Sequence, residues 1–261
     1  MRKRSVFCAL LAGLLLLAGC GRKEQTGDLL SQIRERGEIV VAMEGTWAPW
    51  TYHDEDDNLV GYDVEVARHI AEKLGVKVTF VEGEFDGLLA GVEAGRYDIM
   101  VNGVDIDEDR QQKYDFTVPY AYQRTAVIVN SDNNDIQTME DLEGRHTANT
   151  ITSTYAKLAQ KYGAEVTGVN DLNQTFELLF SGRIDATLNA EVSFYDYMKA
   201  HPDANIRIAL FAPESTQVAI PVPKGETALV SAINDALAEM SKDGTLSALS
   251  EKYFGIDISQ P

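Results

Sequence analysis

The sequence predicts an α/β protein with two lobes, each a mostly parallel sheet flanked by helices, and three observations support this fold. Apolar strand-like segments alternate with amphipathic helical segments, an order that favours parallel strand pairing. The first strand, residues 38–43, is apolar from its second residue on, as expected of a strand covered on both faces. An eight-residue motif also occurs twice, which indicates two units of similar topology.

The expected elements alternate in a regular order. Gly37 and Gly75 each follow a helical segment and act as stop signals, and Asp86 is expected to cap the helix that it precedes. The predicted order is a helix over 28–36, a strand over 38–43, a helix over 62–74, a strand over 76–81, a helix from 86, a strand over 99–104, a helix over 227–240 and a last helix containing Leu246, Leu249 and Tyr253.

The repeated motif predicts where a ligand would bind. Gly95–Asn102 reads Gly-Arg-Tyr-Asp-Ile-Met-Val-Asn, and Gly182–Asn189 reads Gly-Arg-Ile-Asp-Ala-Thr-Leu-Asn. Each copy follows an apolar helix and leads into a strand. Ligands of open α/β sheets bind beyond the carboxyl ends of such strands, so two facing lobes are expected to share one cleft.

The N-terminus has the pattern of an export signal. Three basic residues, Arg2, Lys3 and Arg4, precede an apolar run over 6–18 that is shorter than the ~20 residues needed to span a bilayer. The run ends in Leu-Ala-Gly-Cys, which resembles a bacterial lipobox. We therefore expect residues 1–19 to be a lipoprotein signal peptide, and Cys20 to be acylated, for example with palmitate, and to anchor the protein to the outer face of the cell membrane.

Composition excludes several classes of function. The formal charge of −18 argues against nucleic acid as a partner, because phosphate binding requires basic patches. The four histidines lack metal-ligand spacing, and the sequence contains no phosphate-binding glycine loop. After removal of the signal peptide, Cys20 would be the remaining cysteine, so neither a disulfide nor a cysteine nucleophile is expected. We expect neither a cofactor nor a metal.

Several motifs in one order resemble family 3 of the extracellular solute-binding proteins, the receptors of polar amino-acid ABC importers. The motifs are Gly61–Ala67 (GYDVEVA), Phe85–Leu89 (FDGLL), Asp109–Arg110, Tyr114–Tyr120 (YDFTVPY), Asp243–Thr245 (DGT) and Lys252–Gly255 (KYFG). Glu44-Gly45-Thr46 is most similar to the cystine-binding branch. The resemblance implies a type II periplasmic-binding-protein fold, a monomer that is not an enzyme, an amino-acid ligand and the permease of an ABC transporter as partner.

The resemblance and the repeat together imply domain boundaries. A tether with a short helix is expected over 20–37, and the first part of lobe 1 over 38–122. Lobe 2 is expected over 123–217, and the second part of lobe 1 over 218–261. The two crossovers would then act as hinges.

The resemblance also implies how the ligand carboxylate is held. Arg110 stands where the family keeps an arginine, and a guanidinium binds a carboxylate in bidentate fashion. Ser153 and Thr154 open a helix whose N-terminus would supply a second contact from lobe 2. Trp47 and Phe85 align with the walls of the family's pocket, and Trp47 is a better pocket candidate than Trp50.

The ligand ammonium is the point at which the sequence departs from the family. The family usually has an aspartate after the position of Asn189, but Ala190 stands there, followed by Glu191. Two residues after Gly103 the family has Ser or Thr, and here the residue is Asp105. Either Asp105 has taken over the negative charge, with Glu191 as its competitor, or both are unrelated loop acids.

Two further alternatives stay open. Glu44 ends the first strand and would either meet a distal amine of the ligand or lie solvated at the rim, so cystine, another polar amino acid and a basic amino acid are all candidates. The same fold also occurs in periplasmic cyclohexadienyl dehydratases, where Glu191 would serve as a general acid.

Overall fold

The computed structural model describes residues 28–261, so the signal peptide and Cys20 lie outside the described residues. The helices are α1 (Leu29–Arg36), α2 (Tyr62–Leu74), α3 (Phe85–Glu93), α4 (Glu108–Lys113), α5 (Thr154–Lys161), α6 (Leu172–Phe180), α7 (Glu191–Ala200), α8 (Thr227–Lys242) and α9 (Thr245–Phe254). The strands are β1 (Glu38–Met43), β2 (Thr46–Trp47), β3 (Thr51–His53), β4 (Leu59–Val60), β5 (Lys77–Glu82), β6 (Ile99–Met100), β7 (Tyr114–Phe116), β8 (Ala121–Asn130), β9 (His146–Asn149), β10 (Glu165–Gly168), β11 (Ala186–Ala190), β12 (Ile206–Val218) and β13 (Pro221–Pro223).

The first lobe is built on a parallel three-stranded sheet with β1 in the middle. The strand order is β5-β1-β6, and Val41 pairs with Phe80 on one side and Ile99 on the other. Ile39 and residues 41–43 of β1 are buried, as the apolar sequence predicts. A small β2-β3-β4 meander and the β7–β13 pair complete the strands of this lobe, and α2, α8 and α9 pack together beside the sheet.

The second lobe is built on a five-stranded sheet with the order β10-β9-β11-β8-β12. β9 runs parallel to both of its neighbours, whereas β8 runs antiparallel to β11 and β12. Lobe 2 is therefore mixed rather than mostly parallel. Its first three strands repeat the arrangement of β5-β1-β6, so the two lobes share the topology that the repeated motif predicts.

The repeated motif has the same structure in both lobes. Gly95 and Gly182 both adopt φ +67°, in the left-handed region that favours glycine. Asp98 accepts a hydrogen bond from Val40 N at 2.6 Å, and Asp185 accepts one from His146 N at 2.8 Å. In each lobe the aspartate thus binds the backbone of the neighbouring central strand and fixes where the motif strand leaves the turn.

Strands β8 and β12 connect the two lobes. They pair with each other along lobe 2, and their lobe 1 ends meet where Ala121 pairs with Val218. At that point Tyr122 N donates to Ile258 O at 2.7 Å, and Asp105 forms a bridge with Val218. The chain therefore passes between the lobes twice, through two adjacent strands.

Most predicted elements are confirmed, and two details are wrong. Asp86 does not cap α3, which begins one residue earlier with Glu84 at the N-cap, so Asp86 lies in the first turn. The strand predicted over 99–104 ends at Met100, because the chain turns there toward the cleft. Within residues 28–261, no helix combines the length and apolarity needed to cross a membrane.

Candidate ligand-binding cleft

A cavity lies between the two lobes. Most of the predicted site residues line it, and Glu191 does not. The lining residues are Glu44, Thr46, Trp47, Phe85, Gly103, Asp105 and Arg110 from lobe 1, and Asn149, Thr150, Ser153, Thr154, Tyr155, Asp171, Leu172, Thr175 and Asn189 from lobe 2.

Arg110 is buried on α4, and two of its five guanidinium N–H groups donate hydrogen bonds, while Nε forms an ion pair. Nε lies 3.2 Å from a carboxylate oxygen of Asp107, one terminal nitrogen donates to Asp105 O at 2.8 Å, and the other donates to Thr152 O at 3.2 Å. One N–H therefore remains on each terminal nitrogen. The guanidinium carbon lies 5.2 Å from the centroid of the Phe85 ring, which limits its movement.

Asp107 holds this arginine in place. Its carboxylate caps α4 by accepting from the backbone N–H groups of Asp109 and Arg110, and it also receives a hydrogen bond of 3.1 Å from Lys157 of lobe 2. Burial raises the pKa of Asp107, but the hydrogen bonds from Arg110 and Lys157 outweigh it and leave the pKa below its usual range. Asp107 is therefore a stable anion behind the guanidinium.

Asp105 is buried at the point where both lobes and the connecting strands meet. Its carboxylate accepts from Gln123 Nε2 at 3.0 Å and from the Thr154 hydroxyl. Burial raises its pKa, although these hydrogen bonds and Arg110 oppose the rise. An ammonium in the cavity would stabilise the ionised form.

Glu191 is engaged away from the cavity. Its two carboxylate oxygens accept from Arg124 Nε at 2.8 Å and from a terminal nitrogen of Arg124 at 2.5 Å. The Arg124 guanidinium in turn lies 4.0 Å from the centroid of the Phe211 ring. Glu191 is the first residue of α7 and only 5% exposed, and the preceding Ala190 is fully buried. Of the two acids considered for the ammonium, Asp105 is the one at the cavity.

Trp47 forms one wall of the cavity. It stacks on the fully buried Trp50 with ring centroids 5.4 Å apart, so Trp50 belongs to the core. Gly103 adopts φ +55°, and a Cβ added there would lie 2.5 Å from the Trp47 ring. A glycine is therefore required for the backbone to pass against this ring.

Asp63 supports the cavity from behind and was not among the predicted site residues. This fully buried residue of α2 accepts from Gly103 N at 2.6 Å and from the Tyr120 hydroxyl at 2.6 Å. Burial raises its pKa to about 7 despite both hydrogen bonds. The available signal was its place in the GYDVEVA motif, as an acid in the first turn of a helix that is otherwise largely buried.

Glu44 lies at the end of β1 and is held by Asn102. The Asn102 amide donates to the Glu44 carboxylate at 2.7 Å and accepts from Glu44 N at 2.7 Å. Burial raises the pKa of Glu44 to about 7, and the negative charges of Asp171 and Asp86 add to the rise. Asn102 is the last residue of the first motif copy, which places that motif at the site.

Lobe 2 contributes the N-terminus of α5 and several polar side chains. Ser153 caps this helix by accepting from Ala156 N at 3.1 Å, and Thr154 is its first residue. Asn149, Asp171 and Asn189 also line the cavity and were not among the predicted site residues. For Asn189 the repeated motif was a signal, because its counterpart Asn102 also lies at the site.

Polar contacts join the lobes across the cleft. Lys157 of α5 lies 2.8 Å from Asp109, and Asn170 donates to Glu84 at 2.8 Å. The Thr152 hydroxyl donates to Asp86. With the Arg110 and Asp105 contacts, these bonds hold the two lobes in a closed arrangement.

Comparison with known proteins identifies the family to which this two-lobed fold belongs. Residues 39–256 match the model of the bacterial extracellular solute-binding proteins, family 3. The chain belongs to this family. It is therefore an extracytoplasmic solute-binding protein with the predicted two-lobed fold, and not an enzyme.

Relatives of this solute-binding protein cover most or all of its length. It is 38% identical over the whole of both chains to the L-cystine-binding protein TcyA of Bacillus subtilis. The L-cystine solute receptor of Neisseria gonorrhoeae, in its unliganded open conformation, is 40% identical, with coverage of 90% and 100% and a TM-score of 0.62. An ancestral arginine-binding protein bound to arginine is 36% identical, with coverage of 84% and 99% and a TM-score of 0.79.

The structural scores agree with the closed arrangement. The solute-binding protein superposes better on the arginine-bound structure than on the open receptor, although its sequence is more similar to the open one. Closure moves the lobes as bodies and changes the overall superposition without changing the fold of either lobe. The difference in TM-score is what a closed cleft predicts.

Proposed function

We propose that this solute-binding protein captures an amino acid in the cleft and delivers it to the permease of an ABC importer. The observation that carries the proposal is the guanidinium of Arg110, which lies at the cavity with one unengaged N–H on each terminal nitrogen. A carboxylate would be bound by such a pair in bidentate fashion. The names of the relatives, which include cystine-binding and amino-acid ABC transporter-binding proteins, support the same ligand class.

Both charged groups of an amino acid have partners in this proposal. The ligand carboxylate lies on Arg110 and on the N-terminus of α5 at Ser153 and Thr154, where helical N–H groups favour anions. The ligand ammonium lies on Asp105, which is buried and otherwise paired with neutral groups of Gln123 and Thr154. A buried ammonium without an anion would be strongly disfavoured. Trp47 and Phe85 pack on the rest of the ligand. Gly103 has no side chain, so the protein backbone can approach the ligand there.

Cystine is the proposed ligand, with basic amino acids as the second candidate. Two relatives are named L-cystine-binding proteins, and their sequences are 38% and 35% identical to this chain. The arginine-bound structural neighbour supports the second candidate. Glu44 faces the cavity rather than solvent, which suits either ligand, because both carry a further cationic nitrogen.

The proposed setting is the outer face of the cell membrane. The N-terminal pattern supports a cleaved signal peptide and a lipid on Cys20, and the protein would act as a tethered monomer. The segment over 20–37, a tether with a short helix, would connect the lipid to lobe 1.

The decisive experiment is a thermal-shift screen of amino acids on the purified protein, followed by calorimetry. A ligand at 100 times its Kd is expected to stabilise the fold by about 2.7 kcal/mol. Cystine, arginine and lysine should be among the ligands, and Arg110→Ala should remove their effect. The lyase alternative required Glu191 as general acid, and Glu191 is bound to Arg124 instead. Turnover of arogenate or prephenate without amino-acid binding would overturn the proposal.

A further inference from the structure

Gln123 lies on one of the two strands that connect the lobes. It belongs to β8, two residues beyond the point where Ala121 pairs with Val218, and it pairs with Thr216 of β12. The Thr216 hydroxyl donates to the backbone oxygen of Gln123 at 3.5 Å. Gln123 is only 2% exposed, so its side-chain amide depends on partners within the protein.

The Gln123 amide contacts one residue of each lobe. Its nitrogen Nε2 donates to Asp105 Oδ1 of lobe 1 at 3.0 Å and to the Tyr155 hydroxyl of lobe 2 at 3.2 Å. Tyr155 is the second residue of α5 and lines the cavity, as does Asp105. A single amide on the connecting strand therefore links two lining residues from opposite lobes.

Asp105 determines which way the Gln123 amide points. An ionised carboxylate only accepts hydrogen bonds, so the nitrogen of the amide and not its oxygen must face Asp105. Both N–H groups are then used, and Oε1 is left buried without a hydrogen-bond partner among the described residues. An unpaired buried acceptor is costly. The fold keeps this orientation despite that cost, which indicates that donation to Asp105 and Tyr155 matters.

Asp105 is surrounded by donors from several elements. Its second carboxylate oxygen accepts from the Thr154 hydroxyl of α5, and Arg110 of α4 is the cation that faces it, since the guanidinium donates to Asp105 O. Tyr155 is the titratable group that faces it from α5. Hydrogen bonds to a carboxylate favour its ionised form. Gln123 can therefore act on Asp105 although it is not among the described residues that line the cavity.

We propose that Gln123 is a positioning residue that holds the Asp105 carboxylate in place for the ligand ammonium and ties it to α5 of lobe 2. The inference rests on the proposed function, because it requires that Asp105 binds the ammonium. Thr154 and Tyr155 belong to lobe 2, so the complete set of contacts around Asp105 exists only while the lobes are closed. The ammonium site is thus completed by closure, with Gln123 as the link.

The experiment begins with Gln123→Met, which keeps the length of the side chain and removes the amide. Calorimetry with L-cystine and L-arginine should show that affinity falls by ~10-fold for whichever of them binds the wild type. NMR of the unliganded protein should show that the pKa of the Asp105 carboxyl rises by about 1 pH unit, because a donor to the ionised form is lost. Gln111→Met, at an exposed position of α4, is the matched control and should equal the wild type in both measurements.

Two further variants test the link itself. Gln123→Glu keeps the shape of the side chain and replaces the donating amide with a carboxyl, so both measurements should change in the same direction as in Gln123→Met. Tyr155→Phe removes the acceptor on α5 and should weaken binding several-fold in the wild type. In the Gln123→Met background, Tyr155→Phe should have little further effect, because the contact is already lost.

The outcomes separate this inference from the function on which it rests. A loss of affinity in Gln123→Met without a rise in the pKa of Asp105 would show that Gln123 serves the fold alone and would overturn the inference. Additive losses in Gln123→Met and Tyr155→Phe would overturn the link between the lobes. Either result leaves the amino-acid receptor intact, whereas a wild type that binds no amino acid would overturn the proposed function and the inference together.

Discussion

The Arg110 side chain extends from lobe 1 and donates to the backbone oxygen of Thr152 in lobe 2, 3.2 Å away. The same guanidinium is held within lobe 1 by Asp107 and by Asp105 O. The group proposed to bind the ligand carboxylate therefore also joins the lobes. Under the proposed function, this side chain would take part in both ligand capture and closure.

Replacing Arg110 should nearly abolish binding. Loss of one partner of a buried charge pair costs about 3–5 kcal/mol, so Arg110→Ala should weaken amino-acid binding by roughly 10²–10³-fold or more in calorimetry. Arg110→Lys should also bind poorly, because lysine lacks the planar fork. Arg183→Ala, at the exposed arginine of the second motif copy, should behave as wild type. Near-wild-type affinity of Arg110→Ala would disprove the carboxylate clamp.

The charge of Asp105 should be required for the ligand ammonium. Asp105→Asn keeps the size of the side chain but removes the anion, and calorimetry should show a loss of at least ~10-fold in amino-acid affinity. Glu191→Gln should have a mild effect on binding, because Glu191 faces Arg124. The opposite ranking of the two variants would assign the ammonium to Glu191.

Lys157 should stabilise the closed form. Its ammonium lies 3.1 Å from Asp107 and 2.8 Å from Asp109, across the cleft from both. Lys157→Met removes these ion pairs, so X-ray scattering at saturating ligand should show a less compact particle, and affinity should fall several-fold. Since the pairs are partly exposed, added salt should reduce the difference from wild type. Lys242→Met, at an exposed position at the end of α8, is the control. An unchanged scattering profile would show that Lys157 does not hold the lobes together.

Asp63 should make stability depend on pH. Its pKa is about 7 in the fold, well above the value of 3.8 expected when exposed, so the folded state holds the proton more tightly. Its contribution to the free energy of unfolding is greatest below about pH 4 and is lost as pH rises through 7. The total loss is about 1.4 kcal/mol for each unit by which the pKa in the fold differs from the pKa in the unfolded chain. Asp63→Asn cannot ionise and should lose this dependence in urea titrations at several pH values. Asp132→Asn, at an exposed position, should retain it. A parallel pH profile for wild type and Asp63→Asn would contradict the assignment.

Cys20 should determine where the exported protein is found. Acyl chains contribute about 0.8 kcal/mol per buried methylene, so two or more chains hold a protein firmly to a membrane. Cys20→Ser should appear in the soluble fraction after cell fractionation, whereas the wild type should stay with the membranes. Retention of the variant on membranes would show that another feature anchors the chain.

The sequence predicted the fold well where local pattern and packing agree. β1 and α2 were predicted to the residue, because their apolar patterns and glycine stops correspond to the buried faces. The strand over 99–104 was predicted too long, because Val101 and Val104 are also apolar and buried although they lie beyond the end of the strand. A run of apolar residues predicts that a segment is buried. It does not distinguish a strand from a loop that packs against a ring such as Trp47.

The site was predicted from motifs in lobe 1 and much less in lobe 2. Arg110 and Trp47 lie in or near recognisable motifs, and the cavity contains both. Asp171 and Asn149 were not predicted, because an N-cap aspartate and an asparagine at a strand end are common in proteins and do not by themselves indicate a ligand. Whether they line a cavity depends on which residues of lobe 1 face them in the closed arrangement, and sequence order does not contain that information. Glu191 was considered because it follows Ala190, but its partner Arg124 lies 67 residues away.

The interrupted course of the chain has a consequence for folding order. Lobe 2 is one continuous segment between the two connecting strands, so it can fold as soon as that segment is available. Lobe 1 also needs α8, which packs on α1 and α2, and Leu29 N donates to Glu226 across 197 residues of sequence. Contacts between such distant parts of a chain form slowly. A polypeptide that emerges N-terminus first therefore completes the half containing Arg110 last, and the cleft becomes able to bind only when both ends of the chain have met.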